Sequence, residues 1–170
     1  MLYTGCRTNE AAGLQVRDFR LEANTPHVVF RTNELRRMDK NGLERAVPLM
    51  SPVLDAYRLY EHEKRPDKAL FPKYGNTRGF ENVSAKLRHV VNELMGIKNP
   101  DLVPYSTRHT FRDRSEAANI STSRSEYIMG HKSAASSRIH QKYGTKTPPT
   151  VRYEDMTKIF KVTDWGYYED

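Results

Sequence analysis

The sequence reads YSTRHTF at residues 105–111, IMGHK at residues 128–132 and QKYG at residues 141–144, and the rest of the chain is organised around this stretch. Arginine, histidine and tyrosine are the side chains needed to hold a phosphodiester and attack it. Arg108 offers a forked pair of N–H donors to phosphate oxygens. His131 adds a donor whose charge can be tuned near neutral pH. Tyr143 carries a hydroxyl that can act as a covalent nucleophile.

The composition indicates a folded domain with an anionic partner. Of the 170 residues, 37% are hydrophobic and 29% are charged, which is enough apolar material for one domain with a core. The net charge of +7 favours a polyanion, nucleic acid first, although a generally basic protein has the same balance. No apolar run approaches the ~18 residues of a membrane span.

The cysteine count and the N-terminal sequence predict the cellular compartment and whether the chain has a metal site. Cys6 is the single cysteine, so the chain cannot form an internal disulfide, and no Cys/His cluster has the spacing of a zinc site. The N-terminal residues contain no secretory apolar segment. We therefore expect a cytoplasmic, reducing compartment and no metal site.

Local patterns predict a mainly helical protein with one small antiparallel sheet, an α+β fold. The β-branched and aromatic run at residues 26–32 and the run at residues 45–49 predict two strands. Asn41-Gly42 between them is the strongest two-residue hairpin signal. Apolar spacing, proline position and capping residues predict a turn and helix over residues 4–14 and helices near residues 51–64, 80–95, 106–118, 122–129, 135–143 and 151–160.

Four motifs resemble those of the tyrosine recombinases, the phage-integrase family. TGCRTNE at residues 4–10 resembles the family's first arginine box, and YSTRHTF resembles its second. Lys40 in a hairpin before RAVPL at residues 45–49 resembles its catalytic-lysine hairpin. Gly130-His131 followed by Tyr143-Gly144 resembles its histidine and nucleophile. Because the four motifs stand in the family's order, the resemblance is specific.

The resemblance implies the catalytic-domain fold of these enzymes and site-specific DNA recombination or integration without a metal or other cofactor. Arg7 and Arg108 would clamp the scissile phosphate, and His131 would donate a third contact. Tyr143 would attack to form a 3′-phosphotyrosyl link, and Lys40 would protonate the departing 5′ oxygen. This division of labour suits phosphoryl transfer, which needs positioning and charge stabilisation above all.

Several further residues receive supporting roles. Glu10 either orients an arginine or only supports the start of its helix. His109 lies about 100° around the helix from Arg108, so we expect it to be buried or to support the site. Nearby basic groups are expected to meet DNA backbone phosphates, namely Arg36, Arg37 and Arg45. Tyr127 and Tyr153 compete with Tyr143 as nucleophiles, and Tyr127 is expected to be core.

The sequence departs from the family pattern in three places. Tyr105 stands where the family usually has histidine or lysine, and a phenol with a pKa of roughly 10 is a poor base at neutral pH. The group that deprotonates Tyr143 therefore stays open. The gap from His131 to Tyr143 is a few residues longer than in most members. Met1 lies almost inside the first arginine box, which predicts an isolated catalytic fragment or a truncated frame without the usual DNA-clamping domain.

The predicted organisation is a catalytic domain over residues 1–146 and a C-terminal tail over residues 147–170. The implied partners are double-stranded DNA and other protomers in a DNA-assembled tetramer, with no membrane. We expect the tail to dock on a neighbouring protomer, with packing on its own core as the alternative. Two other functions stay open, namely a catalytically silent remnant that only binds DNA, and a type IB topoisomerase-like strand transferase.

The basic charge generates a prediction about DNA affinity. Binding of double-stranded DNA should be weak, because the predicted fragment lacks the usual DNA-clamping domain, and strongly salt-dependent, because each neutralised phosphate releases counterions. With four to six phosphates neutralised, log K should fall against log salt with a slope of roughly −4 to −5. A titration from low to moderate salt measures this slope, and a slope near zero would rule out the nucleic-acid interpretation.

Overall fold

A computed structural model describes residues 1–36, 44–60, 65–76, 79–131 and 149–163. Within these ranges, α-helices pack around a three-stranded sheet. The strands are β1 (Phe19–Arg20), β2 (His27–Phe30) and β3 (Arg45–Pro48). The helices are α1 (Thr8–Ala12), α2 (Ser51–Leu59), α3 (Gly79–His89), α4 (Ser106–Ala117), α5 (Thr122–Met129) and α6 (Pro149–Thr163). A 3₁₀ turn at Val16–Asp18 precedes β1, and a π-helical turn at Val90–Leu94 follows α3.

The sheet is antiparallel, in the order β1-β2-β3, which confirms the predicted small sheet. Val28 pairs with Val47, and Phe30 pairs with Arg45. Since side chains alternate along a strand, these four residues share one face, and all four are buried. The hairpin tip with Lys40, Asn41 and Gly42 lies outside the described residues.

The helices follow the predicted ones closely where the structure describes them. Proline near the start of α2 suits the first turn, whose N–H groups have no partner within the helix. α4 and α5 begin at the predicted residues and end within one residue of the predicted ends. The helix predicted for residues 135–143 lies outside the described residues.

The core lies between the sheet, α4, α5 and α6. Its most buried apolar side chains include Phe30, Val47, Phe111 and Ile128, each no more than 2% exposed. Phe111 belongs to the second arginine box, so this motif supplies both a core anchor and a candidate site residue. Tyr127 is also buried, which confirms its expected place in the core.

Helix α6 packs on its own chain, against α4 and β3. Met156 and Ile159 join the core at 1% and 2% exposure. Arg152 donates a hydrogen bond to the Tyr127 hydroxyl at 2.8 Å and another to the carbonyl of Ala46. The predicted docking on another protomer therefore does not describe α6, because its apolar face is already covered in cis. Residues 164–170 lie outside the described part of the tail.

In the described part of the chain, we find no helix with both the length and the apolarity needed to cross a bilayer.

The cis packing of α6 predicts a stability loss on truncation of its core residue. Met156→Ala should lower the free energy of unfolding by about 2–5 kcal/mol, because it leaves a cavity between α6 and the core. Urea unfolding measures this loss. Glu154→Ala, an exposed change on the same helix, is the control and should stay within about 0.5 kcal/mol of the parent chain. Equal stability of the two variants would show that α6 does not pack in cis.

Candidate active site

The candidate site is built on the C-terminal end of α5. Gly130 adopts a left-handed conformation with φ of 75°, and its N–H bonds to the carbonyl of Tyr127 at 3.1 Å. The N–H of His131 bonds to the carbonyl of Glu126 at 2.7 Å. These two bonds form a Schellman motif, which ends the helix and fixes the direction in which the chain leaves it. His131 therefore follows a rigid, glycine-dependent turn.

The next three carbonyls along the chain each accept a hydrogen bond from an arginine. Arg45 Nε donates to the carbonyl of residue 128 at 2.6 Å, and Arg108 Nη1 donates to that of residue 129 at 2.9 Å. Arg7 Nη1 donates to the carbonyl of Gly130 at 3.2 Å. A helix C-terminus carries partial negative charge, so it favours cations at this place. The end of α5 thus gathers both arginine boxes and β3 around one turn.

Glu10 is the buried acid of this cluster. Its two carboxylate oxygens accept hydrogen bonds from Arg45 Nη1 and Nη2, each at 2.9 Å. The backbone N–H of Arg7 donates to it at 2.7 Å, and Arg7 Nη1 lies 3.7 Å from Oε1. Burial alone would raise the pKa of Glu10, but the hydrogen bonds and charge of Arg45, then of Arg7, outweigh burial and lower it. Glu10 is therefore ionised, and it makes the contacts of both predicted roles, because it pairs with the Arg45 guanidinium and accepts the backbone N–H of Arg7 at the start of α1.

Arg108 has the features of an anion-binding group. Its side chain is 1% exposed, and Nη1 donates to the carbonyls of Gly5 and Met129. Nε and Nη2 are buried and have no hydrogen-bond partner among the described residues. A buried donor without a partner is costly, so native proteins seldom keep one without a reason. Two adjacent N–H donors match the geometry of a phosphate.

His131 is half-buried beside these cations. Burial lowers the pKa of its imidazole, and the charges of Arg108 and Arg7 lower it further, while Glu126 partly opposes them. The imidazole is therefore neutral at pH 7, with one N–H donor and one acceptor nitrogen. It can donate a hydrogen bond or accept a proton, but it adds no positive charge to the free site.

Tyr105 and His109 lie together at the start of α4, on its exposed side. The two rings meet edge-to-face with centroids 5.1 Å apart, and Tyr105 is 41% exposed. The carbonyl of Tyr105 accepts the N–H of Arg108 at 2.9 Å. His109 was expected to be buried or to support the site, but it is exposed because α4 turns it towards solvent. Its described contact is the Tyr105 ring, not Arg7 or Arg108.

Two of the predicted DNA-phosphate contacts are wrong. Arg45 is 3% exposed and is held by Glu10, by a carbonyl of α5 and by the Phe30 ring, 4.6 Å from its guanidinium carbon. Arg36 is 6% exposed, donates to the carbonyls of Glu10 and Arg31, and pairs with Asp18. Both guanidinium groups are occupied inside the chain, so neither reaches a DNA backbone. Arg37, Lys40 and Tyr143 lie outside the described residues.

Similarity to known proteins now decides the family. The model of the Phage integrase family matches residues 1–146. The chain belongs to the phage integrase family.

The relatives of this phage-integrase chain include recombinases and a transposase. It is 28% identical over 144 residues to the tyrosine recombinase XerC of Pelobacter propionicus, covering 82% of this chain and 43% of the relative. It is 30% identical over 141 residues to the tyrosine recombinase XerA of Saccharolobus solfataricus, covering 82% and 42%. It is 26% identical over 158 residues to the transposase from transposon Tn916 of Enterococcus faecalis, covering 79% and 38%. No solved structure is significantly similar to the chain. The chain thus spans about two fifths of the length of these curated relatives.

No group of three or more His, Cys, Asp or Glu side chains suited to hold a metal ion occurs in the described ranges of this phage-integrase chain. The polar atoms gathered at the end of α5 are mostly N–H donors of arginines, which suit an anion and repel a cation.

The structural role of Arg45 was missed in the sequence, although a signal was present. Arg45 stands two residues before Val47 on the same strand, so the two side chains share a face. Since Val47 is apolar and faces the core, Arg45 must be buried too and needs a buried acid. Glu10 is that acid. The sequence could not indicate that carbonyls at the end of α5 accept bonds from arginines, because every residue has the same backbone carbonyl.

The lowered pKa of His131 predicts a pH-dependent stability. Below about pH 6.5 the unfolded chain binds a proton at His131 that the folded chain does not yet bind. The free energy of unfolding should therefore fall as pH drops from 6.5 towards the lower pKa of the folded state. Urea unfolding at pH 7.5 and 5.5 should show a larger fall for the parent chain than for His131→Gln. An identical fall in both chains would contradict the lowered pKa.

Proposed function

We propose that this chain is the catalytic domain of a tyrosine recombinase that breaks and rejoins DNA for site-specific recombination or integration. The observation that supports this most directly is the convergence of Arg7, Arg108 and His131 on the end of α5, in a chain of the phage integrase family. These are the residues that the family resemblance assigns to the scissile phosphate. Residues from three motifs that lie far apart in the sequence thus meet at one turn.

The two arginines supply the charge that a phosphodiester needs. Arg108 presents the buried donors Nε and Nη2, and Arg7 is partly exposed, with 17% of its side chain accessible. A phosphoryl transition state spreads negative charge over its non-bridging oxygens, so fixed donors that are already in place stabilise it. Glu10 and the helix carbonyls hold the guanidinium groups before DNA arrives, which reduces the reorganisation needed during the reaction.

The proposed reaction exchanges one phosphodiester for another. The Tyr143 oxygen attacks phosphorus and forms a 3′-phosphotyrosyl bond, while the bond from phosphorus to the 5′ oxygen breaks. Lys40 gives a proton to the departing 5′ oxygen. Attack by a 5′ hydroxyl on the phosphotyrosyl bond then reverses the step. Since the number of phosphoester bonds is conserved, rejoining requires no ATP.

The proton of the attacking phenol needs an acceptor. A neutral phenol is a poor base, so Tyr105 is unsuited to this role. His131 is neutral as a result of its lowered pKa, so one of its two ring nitrogens is basic. We assign the proton to His131. Tyr105 then serves as a hydrogen-bond donor near Arg108.

Double-stranded DNA is the proposed substrate, and a DNA-assembled tetramer is the proposed active species. The net charge of +7 favours double-stranded DNA as the substrate. Residues 164–170, with Trp165, Tyr167 and Tyr168, provide aromatic groups of the kind that anchor a neighbouring protomer. Because the relatives are more than twice as long, recombination by this chain alone is a separate question from strand cleavage.

The nucleophile assignment predicts the behaviour of one variant. Tyr143→Phe should abolish the covalent protein–DNA adduct while leaving DNA affinity within about twofold, because only the attacking oxygen is removed. Incubation with nicked suicide DNA and a denaturing gel measures the adduct. Tyr153→Phe is a matched control, since Tyr153 is 44% exposed and its hydroxyl can be removed without opening the core.

Three other outcomes contradict parts of this proposal. An adduct that survives in Tyr143→Phe but disappears in Tyr153→Phe would reassign the nucleophile. DNA binding without any adduct in the parent chain would indicate a silent remnant. Relaxation of supercoiled DNA without a sequence-specific joint product would indicate a topoisomerase-like enzyme.

A further inference from the structure

We propose that Arg45 is a positioning residue of the phosphate site, acting through Glu10 to keep the Arg7 guanidinium available for the scissile phosphate. This rests on the proposed function of Arg7. Arg45 does not touch the substrate in this proposal. Arg45 pairs with the Glu10 carboxylate, which would otherwise form a close ion pair with Arg7.

The Arg45 side chain is buried, and each of its three guanidinium nitrogens donates a hydrogen bond. Its side chain is 0% exposed in the ion pair, and Nη1 and Nη2 each lie 2.9 Å from a different oxygen of Glu10. Nε donates to the carbonyl of Ile128 at 2.6 Å, and the Phe30 ring covers the guanidinium. A planar fork can serve three acceptors at once, whereas a lysine ammonium is a point donor. Arginine is therefore specifically required at this position.

Glu10 lies between two arginines but is shared unequally. It makes both short side-chain contacts to Arg45, while the Arg7 guanidinium stays 3.7 Å away. Arg7 is instead held by its backbone N–H to Glu10 and by one bond to Gly130. A lysine in place of Arg45 has no fork to hold both carboxylate oxygens, so one Glu10 oxygen would be left without its partner beside one nearby guanidinium. That oxygen would pair with Arg7, and the donors of Arg7 would then face the acid rather than the phosphate.

The same rearrangement changes the electrostatics of the neighbouring histidine. The charge of Arg7 is one of the causes that lower the pKa of His131. An Arg7 neutralised by Glu10 would have a weaker effect on the imidazole. The position of Arg7 can therefore be followed at His131 without any DNA present.

The experiment compares the parent chain with Arg45→Lys, and uses Arg152→Lys as the matched control. Arg152 is also buried, and it donates to the carbonyl of Ala46, next to Arg45 on β3, and to the Tyr127 hydroxyl, but none of its described hydrogen bonds reaches Glu10 or the carbonyls of residues 128–130. With saturating suicide DNA, Arg45→Lys should form adduct about tenfold to a hundredfold more slowly, as expected for a misplaced catalytic group. The NMR midpoint of His131 should move up towards its ordinary value. Arg152→Lys should leave both quantities unchanged.

Two results would overturn the proposal. One is an adduct rate and a His131 midpoint in Arg45→Lys that both match the parent chain. The other is the same pair of changes in Arg152→Lys, which would indicate a general loss of packing. If the parent chain forms no adduct, the proposed function fails, but the His131 midpoint still decides the role of Arg45.

A second comparison covers the case in which Arg45→Lys does not fold. Glu10→Gln/Arg45→Met removes both charges, which buried pairs tolerate better than the loss of one partner. If Arg45 acts through Glu10, this double variant should form adduct no more slowly than Glu10→Gln alone. A further tenfold loss in the double variant would show that Arg45 acts independently of Glu10 and would overturn the proposal.

Discussion

The buried ion pair between Glu10 and Arg45 is the interaction on which the site depends. Two charges removed from water are stabilising only if each is fully hydrogen-bonded, and here Arg45 has two carboxylate oxygens and a helix carbonyl as partners. The pair joins α1 to β3, and the bond to residue 128 adds α5. Removing either partner would leave a buried charge, at a cost of about 3–5 kcal/mol. Fold and candidate site thus share one constraint, because the carboxylate that pairs with Arg45 in the core also lies 3.7 Å from the Arg7 guanidinium.

The end of α5 explains how three arginines can lie so close together. Their mutual repulsion is offset by Glu10 and by the partial negative charge of three successive carbonyls. Gly130 makes this possible in two ways. Its left-handed conformation closes the Schellman motif, and a Cβ there would overlap the Arg45 guanidinium. Burial lowers the pKa of His131, and the positive charges of Arg108 and Arg7 lower it further.

Helix α6 connects this arrangement to the C-terminal region. Arg152 bonds to β3 at Ala46, one residue after Arg45, and stacks on the Tyr127 ring with its guanidinium carbon 4.6 Å from the centroid. Arg124 of α5 pairs with Asp155 of α6 at 2.8 Å. Strand β3 is therefore held to α5 through Arg45 and to α6 through Arg152. Helix α6 thus packs on the strand that carries Arg45.

The sequence by itself determined the α+β class, the small antiparallel sheet and most helix positions, because periodicity, proline and glycine act locally. It also determined the candidate residues Arg7, Arg108 and His131 through their motifs and order. Tertiary structure alone decided how basic residues divide between core and surface. Arg36 and Arg45 have the same local signature as a DNA-contacting arginine, yet both are buried, because the acids and carbonyls that hold them lie far away in sequence. It also decided that α6 packs in cis and that His109 faces solvent. Local composition specifies which chemistry a residue can perform, whereas the partners that commit it to one role are brought to it only by folding.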